Sequence, residues 1–306
     1  MNAILNNEEE LLKFRSQIDE IDDKIIELLL QRSKVVMQVG EYKRQKATAK
    51  CPIRPGREAE MLRRILKRFE GTGFSPVGAA AIWRIIIGTS TALESDMTLC
   101  VYAPEKESDL FWLAREYFGM ASPVIKEPHI KRVIGNVMDN KAAVGIVPLL
   151  QGNDSSDWWT SLLQPGDDTP KVFAHVPFVY PAGSPRNVVG ALALAKLTPE
   201  PSGDDISLLV VEANHDVSQH RLQGAFTTAK IEANWLATAS LTPGRRHHLV
   251  QLAGFHPKDS APLKSAMEPL ADAIFNITFL GAYAVPVNLS KNSTDKGTAN
   301  AATAKA

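Results

Sequence analysis

Residues 8–45 read EEELLKFRSQIDEIDDKIIELLLQRSKVVMQVGEYKRQ, a stretch without proline and with one glycine, Gly40. Apolar residues recur at Phe14, Ile18, Ile21, Ile25, Leu28, Val35, Val39 and Tyr42. Steps of four and three, with one gap filled by Arg32, predict a single long amphipathic helix with a coiled-coil-like seam. At 1.5 Å per residue such a helix is about 55 Å long, more than the diameter of a small domain. A rod of that kind needs a partner, and a second copy of the same rod is the expected one.

Outward from this helix, a loop with Pro52, Pro55 and Gly56 leads to a second predicted helix at 57–69, with Leu62, Ile65 and Phe69 on one face. Ser75-Pro76 is a helix-start signal, and the third helix carries Trp83, Ile86 and Ile87 toward Glu94. Residues 1–96 therefore read as an all-α three-helix domain. Beyond Met97 the pattern changes to alternating strands and helices. Strands are expected at 98–102, 142–147 and 172–179 and helices at 109–118 and 129–138, an α/β region over 97–202. The loop 198–205, with Pro199, Pro201 and Gly203, marks a boundary. The chain beyond that loop reads strand 206–213, helix 218–229, strand 230–241, strand 246–254, helix 261–274 and strand 276–285. That βαββαβ order over 203–287 predicts a ferredoxin-like domain. Residues 288–306, rich in Asn, Ser, Thr, Ala and Lys, read as a disordered tail.

The chain has 306 residues, long enough for two or three domains. Its 34 basic side chains cancel 34 acidic ones, which excludes a basic nucleic-acid coat. No run approaches 18 uncharged apolar residues, and the acidic start lacks the pattern of a secretory leader. A cytoplasmic protein that neither enters a membrane nor binds nucleic acid is the expectation. Its two cysteines, Cys51 and Cys100, are expected as reduced thiols, since they make neither a disulfide framework nor a zinc site by themselves.

Charge is nevertheless uneven. Residues 1–31 hold eight acids against three bases, whereas 43–68 hold ten Lys or Arg against Glu58 and Glu60. The cationic stretch is either a solvated helix face or a site for an anionic small molecule; it lacks the interleaved aromatics of a nucleic-acid binder. Arg32 stands where the seam calls for Ile or Leu, and a buried guanidinium needs compensation. It either snorkels outward, pairs with an acid across the seam, or meets a ligand. Lys43 lies three turns further on the same face, about 16 Å along the axis, so the two could close on a small dianion. Arg15 is about 25 Å from Arg32 along the same helix, so a shared site would take Arg15 from the other subunit. Glu58 interrupts the apolar stripe of the second helix, either as dipole compensation or as a site acid. Ser90 and Glu94 share a face with Trp83 and Ile86 on the third. Such residues predict a pocket of fixed cations and two acids, with Glu94 in an apolar setting, whose chemistry is positioning and electrostatics.

At this point residues 12–15 through Ile18 and Asp22, then 28–32, 39–43 and Arg57-Glu58 leading into Leu62, resemble the all-helical chorismate mutase family. The resemblance implies an intertwined homodimer that rearranges chorismate to prephenate without a cofactor or metal. It implies Arg15 of the partner chain and Arg32 as carboxylate clamps, and Lys43 at a carboxylate and the ether oxygen. It further implies Glu58 at the ring hydroxyl with Arg57 in support, Ser90 near a carboxylate, and Glu94 opposite Lys43 at the ether oxygen. Catalysis is thus expected from Lys43, Glu94, Arg32 and Glu58. Some relatives carry Gln at the last position. A Glu donates there only while it holds a proton, so turnover is expected to fall as rising pH removes it. Many relatives also carry an Asp where this chain has Arg54-Pro55-Gly56.

The rest of the chain is similar, more distantly, to prephenate dehydratases. Tyr117-Phe118-Gly119 and 142–148 match in the α/β region; Lys230-Ile231-Glu232 and Leu280-Gly281-Ala282-Tyr283 resemble the ACT regulatory domain, which implies an amino-acid effector. The chain departs where chemistry resides: it has no Thr-Arg-Phe run, Leu149-Leu150-Gln151 follows Pro148, and Ala233-Asn234-Trp235 follows Glu232. The leading expectation is a chorismate mutase with a degenerate dehydratase-like and ACT-like portion. A bifunctional mutase/dehydratase is the enzyme alternative, and a regulatory protein with an inactive mutase module the non-enzyme one. The seven histidines, His247-His248 among them, show no zinc spacing.

Overall fold

The structure, a computed structural model, describes residues 2–46, 51–105, 108–150, 157–164, 166, 168–184 and 189–289. It divides into two compact units. One is α1 together with Leu93–Ser95; the other is formed by Ile53–Ala92 and the chain from Asp96 onward.

Helix α1 runs unbroken over Asn2–Lys46, starting earlier than the sequence pattern alone suggested. Among the described residues its seam stays exposed: Ile18 is 56% exposed, Ile21 54% and Leu28 62%. So long an uncovered apolar stripe is unusual on a finished surface.

The second unit begins with α2 (Pro55–Phe69) and most of α3 (Pro76–Glu94). Proline at the first position of each helix supplies a fixed φ where no intrahelical N–H partner is lost. Leu62, Ile65 and Leu66 bury one face of α2, and Ala80, Arg84, Ile87, Gly88 and Thr91 one face of α3. Helix α3 is long and apolar enough to cross a membrane by length and composition. Its inward face nonetheless holds a guanidinium, and it packs on α4 (Asp109–Phe118). A Cβ on Gly88 would lie 2.3 Å from the Phe118 carbonyl oxygen, so only glycine permits that approach.

The expected α/β region is present and richer than anticipated. Strands β1 (Leu99–Tyr102), β2 (Val124–Glu127), β3 (Val144–Pro148), β4 (Lys171–Val176), β5 (Val179–Tyr180) and β6 (Ala191–Ala195) accompany α4 and α5 (Ile130–Met138). The strand expected at 172–179 is two strands, because Pro177 cannot donate to a ladder. Strands β2 and β6 had no expectation: β2 is short, and β6 (ALALA) lacks the β-branched residues that signal strands, though all five of its residues are buried. Trp158 and Trp159, on a short 3₁₀ turn, are 2% and 1% exposed and belong to the core.

Beyond Gly203 come β7 (Asp205–Asn214), α6 (Gln219–Thr228), β8 (Ala233–Ala239), β9 (Arg245–Ala253), α7 (Ala261–Met267) and β10 (Ile274–Ala284). They pair antiparallel in the order β10-β7-β9-β8, which is the ferredoxin-like arrangement. One nine-stranded sheet, β2-β1-β3-β6-β4-β10-β7-β9-β8, runs through both regions, across the boundary the loop 198–205 suggested. The junction is the parallel pairing of β10 with β4 at Gly281 and Val172. Gly281 sits at φ +144°, and a Cβ there would lie 2.0 Å from the Val172 carbonyl oxygen, so a side chain would part the strands. The loop itself is a hydrogen-bonded joint, with Ser202 and Asp205 buried in it. Asp205 accepts from the Ser202 amide and hydroxyl at 2.8 and 2.6 Å, and Arg63 of α2 donates to the carbonyls of Ser202 and Asp204 at 2.8 Å.

The expectation of a disordered tail from residue 288 is corrected at its start: β11 (Val287–Asn288) pairs with β5, and the Leu289 amide donates to the Tyr180 carbonyl. Residues 290–306 lie outside the described residues.

Candidate functional site

The candidate residues of the first unit lie on α1 and at the end of α3. Gly40 is buried, and a Cβ there would stand 3.3 Å from the Cα of Glu94. Its small size brings the last turn of α3 against α1. One turn further along α1, Lys43 Nζ donates to Glu94 Oε2 at 2.6 Å, with the two side chains 24% and 15% exposed. Arg44 donates to the Glu94 carbonyl at 3.1 Å, satisfying an end-of-helix acceptor, and is itself held by Glu41 at 2.9 Å. That bond, and a second from Gln45, hold the Glu41 carboxyl below the usual range. The sequence placed Glu94 in an apolar setting; instead its carboxylate meets an ammonium. Arg32 is half-buried, eleven residues before Lys43, and Arg15 is exposed.

In the second unit, Glu58 occupies the first turn of α2, where an acid complements the helix dipole. Its principal contact is a different one. Arg84 Nη1 of α3 donates to Glu58 Oε2 at 2.8 Å, and the pair is nearly enclosed, with side chains 9% and 15% exposed. The Arg84 guanidinium carbon lies 3.9 Å from the Tyr117 ring centroid. Burial pushes the Tyr117 hydroxyl up to about 12 despite the opposing pull of Arg84. Arg57 is exposed, and the buried Ser90 hydroxyl donates back to the Ile86 carbonyl at 2.6 Å.

The structure therefore joins Lys43 to Glu94 in an ion pair, and joins Glu58 to Arg84, which sequence reading passed over. The missed signal was available: Arg84 falls at helical spacing with Ala80, Ile87 and Thr91, the same anomaly that drew attention to Arg32. Chemically, an ammonium with three donors beside a carboxylate suits an oxygen that gains negative charge. Among the described residues, no group of three metal-ligating side chains comes together.

Residues 14–95 match the family described as chorismate mutase type II. A bifunctional chorismate mutase/prephenate dehydratase of Aquifex aeolicus is 32% identical over 145 residues, covering 46% of this chain and 39% of the relative. A protein of the same name from Pseudomonas aeruginosa is 28% identical over 148 residues, covering 47% and 40%. The matched part thus spans about two-fifths of these relatives. Among solved structures, the prephenate dehydratase from Streptococcus mutans aligns with TM-score 0.46 and 17% identity over 63% of this chain and 100% of that one.

Proposed function

We propose that the protein is a chorismate mutase, rearranging chorismate to prephenate in the formation of aromatic amino acids. The observation that carries this reading is the contact of Lys43 with Glu94, at the two positions where the family resemblance puts the groups facing the ether oxygen. In this pericyclic step the C–O bond to the enolpyruvyl group breaks as a C–C bond forms, and negative charge builds on the ether oxygen. Donors already in place there favour the transition state over the ground state. Arg32 and a partner chain's Arg15 would clamp the two carboxylates and hold the enolpyruvyl arm over the ring, removing rotational freedom before the barrier. Glu58, supported by Arg57, would accept from the ring hydroxyl, and Ser90 would meet a carboxylate. No proton leaves the substrate and no cofactor is called for.

The working form in this reading is a homodimer, since the uncovered stripe of α1 matches a second copy of itself. The domains are taken as 1–96 for the mutase, 97–202 for a dehydratase-like region and 203–287 for an ACT-like domain that accepts an amino-acid effector, all in a soluble cytoplasmic protein. Loss of chorismate absorbance on adding pure protein tests the activity, and its absence rejects it. The relatives' second activity is assayed separately, by phenylpyruvate formed from prephenate.

A further inference from the structure

One charged side chain of α3 has no role in the mutase site as described above. Arg84 is 7% exposed, and α3 presents it inward among Ala80, Ile87 and Thr91. A guanidinium so placed persists only where its charge is met. Two groups meet it here: the Glu58 carboxylate at 2.8 Å and the face of Tyr117 at 3.9 Å, with the Phe178 ring at 6.0 Å completing the surround. Tyr117 belongs to α4, in the α/β region, whereas Glu58 belongs to α2.

We propose that Arg84 is a positioning residue for Glu58, and that the Arg84–Tyr117 stack is how the α/β region supports the mutase site. The claim rests on the mutase reading, which gives Glu58 the ring hydroxyl. Arg84 takes Oε2 of Glu58, and among the described residues no other group bonds that carboxylate, so Oε1 is left to accept from a hydroxyl. A carboxylate bound through one oxygen in a nearly closed site loses rotational freedom before substrate arrives. The planar guanidinium does this with its carbon 3.9 Å over an aromatic ring, a combination a lysine ammonium does not reproduce. Tyr117 stays an uncharged shelf over the working pH range, because burial keeps its hydroxyl protonated. The α/β region thereby has a mechanical task.

The test uses the full-length protein and chorismate turnover, with circular dichroism and oligomeric state measured for each variant. Arg84→Met is expected to lower kcat/KM about 10- to 100-fold, chiefly through kcat, and Arg84→Lys about 10-fold. Tyr117→Phe keeps the ring face and should stay within about 3-fold of wild type, while Tyr117→Leu should fall about 3- to 10-fold. Two readouts separate positioning from mere structural support. The double variant Arg84→Met/Glu58→Gln should be no slower than Glu58→Gln alone, because both act on one contact. A chorismate analogue lacking the ring hydroxyl should react equally fast with wild type and Arg84→Lys. Full kcat/KM in a folded Arg84→Lys variant, additive losses in the double variant, or an equal loss with the analogue overturns the positioning role alone. No chorismate turnover by the wild type overturns both this role and the mutase reading.

Discussion

Lys43 and Glu94, 51 residues apart in the chain, meet through a single 2.6 Å contact between Nζ and Oε2. The glycine one turn before Lys43 makes the meeting possible, by letting the end of α3 come within van der Waals reach of α1. The two side chains are mostly withdrawn from water, so the contact is better shielded than a surface ion pair.

Lys43→Met should therefore reduce chorismate turnover by about 10²- to 10³-fold, the usual cost of removing a donor aimed at developing charge. Glu94→Gln puts a pH-independent donor at the same place and should retain activity within about 10-fold. Initial rates by chorismate absorbance decide the matter; a folded Lys43→Met enzyme with undiminished turnover would remove Lys43 from the chemistry.

Two glycines in helices should respond oppositely to alanine. Gly88 has the Phe118 carbonyl oxygen 2.3 Å from where a Cβ would sit, so Gly88→Ala must push α3 away from α4 and destabilise by about 1–3 kcal/mol. Gly135, inside α5, has nothing within 4 Å, so Gly135→Ala should gain about 0.5–1 kcal/mol from the reduced freedom of the unfolded chain. Chemical denaturation of both variants gives the comparison, and equal signs would refute it.

His248 ties stability to pH. It is 2% exposed on β9, bonded through Nδ1 to the Thr238 hydroxyl at 3.1 Å, and burial, aided by Arg246 and His247, lowers it from 6.5 to about 4. Between those values the unfolded chain takes up a proton that the folded chain refuses, so stability should fall as pH drops from about 6.5 and level off below about 4. His175, also lowered by burial, adds to the same slope. Urea midpoints at several pH values should fall less steeply for His248→Gln than for wild type; identical slopes would exclude His248.

Ile21 and Ile25, 54% and 49% exposed on α1, should be covered in the working dimer. Ile21→Glu combined with Ile25→Glu would place four charges in the seam of that dimer and should yield a monomer by light scattering, with turnover lost because Arg15 then has no partner site to enter. A dimer that survives these charges would remove α1 from the interface.

Much of this was legible in the residues themselves. The seam from Phe14 to Tyr42 spells out α1, Ser75-Pro76 the start of α3, and the βαββαβ order the last layer, because each is a local pattern of faces and turns. The family resemblance put Lys43 and Glu94 at one site, facing each other across a ligand rather than in contact, and Arg32 stood out by its place in the seam. Strand β6 escaped because alternating Ala and Leu suits a helix as well as a buried strand. Arg84 escaped because the stronger apolar stripe of α3 runs through Trp83 and Ile86, beside the small-residue face of Ala80, Gly88 and Thr91 that is buried.

Periodicity determined where most elements lie and which of their faces are apolar, and so the order of rods, strands and helices along this chain. Folding in three dimensions decided what each face meets. Gly281 joins two expected regions into one sheet because Val172 happens to lie across from it, and Glu58 meets Arg84, 26 residues away in the chain, before any ligand arrives. Such meetings depend on close packing between elements distant in the chain, and hydrophobic period carries no information about the identity of a partner.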